Sequence, residues 1–162
     1  MKEETLCDGE FKIYDLEFKN LSKRSKTDLL IIHCAATPPD MDIGAREIHQ
    51  WHLNRGWSGI GYHYVICRDG SIEQGRPEWA IGAHAHGYND ESVSVCLVGG
   101  IAKDKTPENN FTEVQFCTLE WIVQKIKKKY PNIKIIGHNE VSSKACPSFD
   151  VQEWLQEWGG IA

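Results

Sequence analysis

The sequence predicts an α/β fold, a single-domain mixed central β-sheet flanked by helices. Three observations carry this. Short, nearly continuous apolar runs ("LLIIHCAA", "YHYVICRDG", "SVSVCLVGG", "IKIIGH") have the length and composition of strands buried on both faces. Longer stretches between them carry a helical apolar periodicity. Strands that alternate with helices pack as a sheet covered by those helices.

Residues 1 to about 27 are charged and mixed and form an N-terminal extension; "EFKIYDLEFK" reads as an edge strand whose alternation breaks at Tyr14. "DLLIIHCAAT", bounded by "TPPD", is a buried central strand with His33 near its C-terminal end. "DIGAREIHQWHLNRG" reads as a helix capped by Asp42 and stopped by Gly56. "GYHYVICRDGSIEQG" is a strand, a tight turn at Arg68–Asp69–Gly70 and a second strand. "SVSVCLVGG" is a further buried strand. The best-signalled element follows: Thr112 and Gln115 have capping-box spacing, and Phe111 and Phe116 have hydrophobic-staple spacing. Val114, Leu119, Ile122 and Ile126 then mark the apolar face of a long helix that Pro131 ends. "IKIIGH" is a strand leading straight into His138. A last helix starts at Asp150, with Glu153 and the Phe149/Trp154 pair repeating the box and staple.

A chain of 162 residues suits one domain with a sizeable core. No stretch approaches the ~20 apolar residues of a membrane span. "MKEETLCDGEFK" has no apolar core after its first lysine, so no secretory signal is expected. A net charge of -5 disfavours nucleic-acid binding, which usually shows a basic excess. Six cysteines invite a disulfide framework, but without an export signal that reading is disfavoured. Cys34, Cys67 and Cys96 lie in apolar runs and read as small buried hydrophobes. Cys7 is near the chain end and Cys117 falls inside a helical pattern. Only Cys146, in "KACPSFD", has unusual company.

Among the seven histidines, His49 and His52 sit on the first helix and read as packing or solvated residues. His84 and His86, in "GAHAHGYND", form a loop His-x-His pair with no cysteine or carboxylate nearby to complete a tetrahedron. His63 follows Tyr62 in "GIGYHY", where the glycines open a strand, so this is no dinucleotide fingerprint. There is no Walker A loop and no HExxH pair. His33 and His138 each end an apolar strand. If those strands are neighbours, both imidazoles project at one sheet edge, where α/β proteins place their sites. Cys146 lies eight residues after His138 in the following loop. Two histidines and a cysteine make a three-ligand metal set with a fourth position for water. A Cys–His nucleophile pair and three unrelated residues remain as alternatives.

The stretches "IIHCAAT", "AREIHQWH", "RGWSGIGYHYVI", "RDGSIEQGR", "HAHGYN", "VCLVGGI" and "KACPSFD" carry a resemblance, in family order, over about residues 29 to 155. The chain resembles the zinc-dependent N-acetylmuramoyl-L-alanine amidases of the type 2 family, which includes animal peptidoglycan recognition proteins. Its nearest likeness is to the short lysozymes of T-odd coliphages. The resemblance implies that residues 28–162 form the amidase domain, with zinc held by His33, His138 and Cys146. It places the catalytic tyrosine on Tyr62 and the catalytic lysine on Lys144; His63 and His84 are candidate substrate contacts. Many animal members that only bind peptidoglycan lack the cysteine, so retention of all five residues implies an enzyme. The implied reaction is hydrolysis of the amide between the lactyl group of N-acetylmuramic acid and L-alanine, by zinc-activated water. Lys144 and Tyr62 would face the oxyanion. Glu140 is a candidate proton donor, though an exposed or supporting carboxylate is the favoured reading. The expected protein is a monomeric phage or prophage endolysin acting on peptidoglycan, with no nucleic-acid or membrane partner. It would accumulate in the cytoplasm and reach the wall after release. The coliphage lysozymes also inhibit their own phage RNA polymerase, a surface property that these motifs cannot carry over.

Overall fold

A computed structural model of the chain describes residues 10–160. The expected mixed sheet is present, with six strands in the order β1-β4-β3-β5-β2-β6. These are β1 (Phe11–Lys12), β2 (Leu29–Cys34), β3 (Tyr64–Ile66), β4 (Ile72–Gln74), β5 (Ser92–Leu97) and β6 (Lys134–Gly137). The β3–β4 hairpin is antiparallel and every other pairing is parallel. The hairpin turn closes by Gly70 N–H donating to Cys67 O at 2.9 Å, with Gly70 in the left-handed region (φ 87°).

Strand alternation splits the core into two layers. Leu30, Ile32, Val93, Val95 and Leu97 pack under α2 (Glu113–Lys129) and α3 (Val151–Trp158). Val65 and Val98 pack with Ala45 and Ile48 of α1 (Ala45–Asn54) on the opposite face. His33 is in register with Cys96, and Cys96 with Val65, so His33 faces the α1 side. Ile32 pairs with Gly137. His138 therefore leaves β6 beside His33 as β2 ends.

α2 is capped as its sequence implies: Thr112 Oγ1 accepts from Gln115 N–H (3.2 Å) and Gln115 Oε1 accepts from Thr112 N–H (2.9 Å). α1 departs from expectation. Its N-cap is Gly44, not Asp42. Glu47 accepts from Gly44 N–H (2.9 Å), and buried Glu73 of β4 accepts from Ala45 N–H (2.7 Å). A carboxylate 28 residues away thus takes the role expected of a local cap. α3 is half as expected: Asp150 accepts from Glu153 N–H (3.1 Å), but the return arm of a box is not formed. The N-terminal segment lies against the sheet, with Tyr14 O–H donating to Glu73 (3.0 Å) and Glu17 O within 2.9 Å of His49 Nε2. Cys34, Cys67 and Cys96 are buried free thiols. Cys117 lies within α2, as its helical pattern implied, and it is disulfide-bonded, which corrects the expectation that disulfides are disfavoured in this chain. Among the described residues, no helix is long and apolar enough to cross a membrane.

Candidate metal centre and active site

The β2 and β6 ends and the loop before α3 bring His33, His138 and Cys146 together, with their ligating atoms all within 4.8 Å of one another. Cys146 Sγ lies 3.7 Å from His33 Nδ1, and the two imidazole centroids are 4.5 Å apart. His138 Nδ1 is buried with no hydrogen-bond partner. A buried polar atom left unpaired is costly, and a cation at the cluster would satisfy it. Two imidazole nitrogens and one sulfur are also a donor set that holds borderline-soft divalent ions. Burial, then the neighbouring His138 and Lys144 charges, lowers the His33 pKa well below its ordinary value. Burial, then Lys144, lowers that of His138. Both rings therefore stay neutral and keep the lone pairs that ligation requires. A hydrogen bond with the Cys34 side chain, then burial, holds the Cys146 thiol above its usual range. A bound cation reverses this by deprotonating a coordinating thiol. Cys34 N–H already donates to Cys146 Sγ at 3.1 Å, which favours the thiolate.

Tyr62 stands beside the cluster, its ring centroid 5.1 Å from that of His33. Burial raises the Tyr62 phenol well above its usual value, so it remains a donor at neutral pH. Lys144 is exposed. It lines a cleft of about 520 Å³ together with Trp57, His84, His86, His138 and Ser142. His63 is fully buried, and Ser94 Oγ (3.1 Å) and Ala80 O (2.8 Å) engage its two ring nitrogens. His84 lines the cleft, but its ring nitrogens are engaged by His33 Nε2 (2.9 Å) and Ser92 Oγ (3.1 Å). Glu140 accepts from Gly137 N–H (2.7 Å) and Gln152 Nε2 (3.1 Å), the supporting position favoured for it.

Two groups organise the site although the sequence stretches that contain them gave them no role in it. His49 Nδ1 and His52 Nδ1 accept from Ile60 N–H and Gly61 N–H, both at 2.9 Å, and so fix the approach to Tyr62. Both are buried, as packing residues rather than solvated ones. Their spacing of three on one helix was the available signal. Buried Arg76 donates to Ile60 O (2.9 Å), Gly59 O (3.2 Å) and Ile81 O (2.9 Å), tying the Tyr62 and His84 segments together. Arg76 ends the stretch "RDGSIEQGR", but nothing local there marked this role.

A neutral His–His–Cys cluster at the ends of neighbouring parallel strands, with a protonated phenol at its side and a cleft above, has the make-up of a metal-assisted hydrolase site. The chain belongs to the N-acetylmuramoyl-L-alanine amidase family, which it matches over residues 23–149. It is 47% identical over 135 residues to an endolysin of Enterobacteria phage K11, covering 83% of this chain and 89% of that one. An endolysin of Escherichia phage T7 is 45% identical over 135 residues, with the same two coverages of 83% and 89%. Among solved structures, the endolysin amidase LysCS of Clostridium intestinale superposes with a TM-score of 0.80 at 27% identity, over 93% of this chain and 95% of that one.

Proposed function

We propose that this chain is a zinc-dependent N-acetylmuramoyl-L-alanine amidase of the phage or prophage endolysin type, with residues 28–162 as its catalytic domain. The observation that carries the reading is the convergence of His33, His138 and Cys146, with the orphaned His138 Nδ1 facing no protein partner. Zinc held by these three residues would supply Lewis acidity for the carbonyl and a water of lowered pKa. Two neutral imidazoles and one thiolate leave a formal charge of +1, enough to keep that acidity.

The chain's own residues do the rest. The substrate amide enters the cleft beside His138 and Lys144. As water adds to the carbonyl carbon, negative charge grows on the carbonyl oxygen. The Tyr62 phenol donates a hydrogen bond to that oxygen, and the Lys144 ammonium lies alongside it. The C–N bond then breaks. N-acetylmuramic acid keeps a carboxylate, and the stem peptide leaves with a free L-alanine amine that takes up the proton. We further propose that the protein accumulates inside the producing cell and meets the wall on release. Binding to a phage RNA polymerase is a separate surface property, tested by pull-down with the cognate polymerase. The deciding experiment for the amidase reading is mass spectrometry of purified peptidoglycan after digestion, with and without chelator. Stem peptides beginning at L-alanine should be released without chelator and be missing with it. Release of glycan fragments instead, or release insensitive to chelator, would refute the reading.

A further inference from the structure

Ser92 Oγ donates its proton to the Tyr88 carbonyl at 2.7 Å. A serine hydroxyl has one proton to give. Its 3.1 Å contact with His84 Nε2 must then be an Nε2–H donating to Oγ. As a neutral ring, His84 is therefore the Nε2–H tautomer with a lone pair on Nδ1. That Nδ1 lies 2.9 Å from His33 Nε2. Two lone pairs facing each other at that distance would repel, so His33 Nε2 carries hydrogen and donates. The lone pair of His33 is left on Nδ1, the atom that faces Cys146 Sγ at 3.7 Å. One backbone carbonyl thus sets the polarity of the whole row, His33 to His84 to Ser92 to Tyr88 O.

The backbone is shaped to hold this row. Asn89 Oδ1 accepts from His84 N–H (2.8 Å) and Ala85 N–H (2.9 Å), and Ala83 N–H donates to Gly61 O (3.1 Å). Gly82 leaves room for the ring, since a Cβ there would lie 2.7 Å from His84 Cδ2. His86, the other half of the loop pair, is exposed and outside the row.

We propose that His84 is a positioning residue for the metal centre: through Ser92 and the Tyr88 carbonyl it holds His33 with Nε2 protonated, so that Nδ1 is presented to the metal. This deepens the proposed function and rests on the His33, His138, Cys146 site. Outer hydrogen bonds of this kind orient a ligating imidazole and raise its basicity, and their loss costs ~10–100-fold in metal affinity.

The test compares wild type with His84→Leu, His84→Asn and Ser92→Ala. Zinc affinity is measured by competition with a chromophoric chelator, and long-range 1H–15N spectra of the metal-free protein report histidine tautomers. His84→Leu should weaken zinc binding by ~10–100-fold. His84→Asn, whose Oδ1 stands where Nδ1 stood and accepts from His33, should recover most of that loss. Ser92→Ala should fall between. Wild-type spectra should show Nε2–H on both His33 and His84. If His84→Leu does not fold, the wild-type spectra and the other two variants decide the matter. A folded His84→Leu with wild-type zinc affinity, or Nδ1–H on either ring, overturns the proposal. A wild type that binds no zinc while showing the expected tautomers overturns the metal-site reading instead.

Discussion

Replacing Tyr62 by phenylalanine removes one hydroxyl and keeps the ring that packs 5.1 Å from His33 and 5.7 Å from His52. The folded protein has little to lose. The phenol's polar neighbour is the buried Cys96 thiol, at most a weak partner. Breaking that contact should cost under ~1 kcal/mol of stability. The transition state has far more to lose. Burial keeps the phenol protonated, and a donor aimed at a developing oxyanion is worth ~3 kcal/mol in a dry site. The rate should therefore drop roughly a hundredfold while fold and metal binding stay intact. The assay is amide hydrolysis of a purified muropeptide, followed by chromatography, beside zinc content and thermal melting of the same preparation. A kcat within about threefold of wild type would refute the role of Tyr62, as ~3 kcal/mol could not then reside in its hydroxyl. Loss of zinc together with activity would show that the hydroxyl supports the metal centre rather than the substrate.

Cys146→Ser should lose bound zinc and amidase activity together; metal analysis after gel filtration checks this, and full zinc content would remove Cys146 from the ligand set. Gly61→Ala should lower the melting temperature and reduce activity, because its Cβ would run into the Ala83 carbonyl. Overpacking of that kind costs ~1–3 kcal/mol; an unchanged melt would mean the segment yields freely. Stability of the metal-free protein should fall as pH drops from about 6.5 toward 4. Burial holds His63 and His52 each down to about 4 in the fold. Unfolded histidines take up protons from about 6.5 downward, so the unfolded state binds more protons throughout that window. The stability is present above that window and declines within it by up to about 1.4 kcal/mol per pH unit for each group. Urea titrations at several pH values would show this slope, and a flat profile would contradict it.

The strands and helices were legible because each leaves a local record. Apolar runs such as Leu29–Cys34 need cover on both faces, and the Thr112–Gln115 box is complete within one turn. Two metal-ligand candidates were legible for a related reason. His33 and His138 end strands, and parallel strands place their C-terminal ends along one edge. Family likeness supplied Tyr62 and Lys144, which have no such local signature. What no local pattern contained were hydrogen bonds between segments brought together only by the sheet order. Glu73 reaches the start of α1 from 28 residues away, His84 meets His33 across 51, and Arg76 spans two loops. A carboxylate in a strand, a histidine in a loop and an arginine beside a proline look alike whether solvated or buried. The sequence by itself determined which segments must be strands and helices, because burying apolar periodicity is a local demand. Only the tertiary structure decided which polar groups those segments hold against one another. A directional bond needs both partners within about 3 Å, and that distance exists only once β5 has docked beside β2.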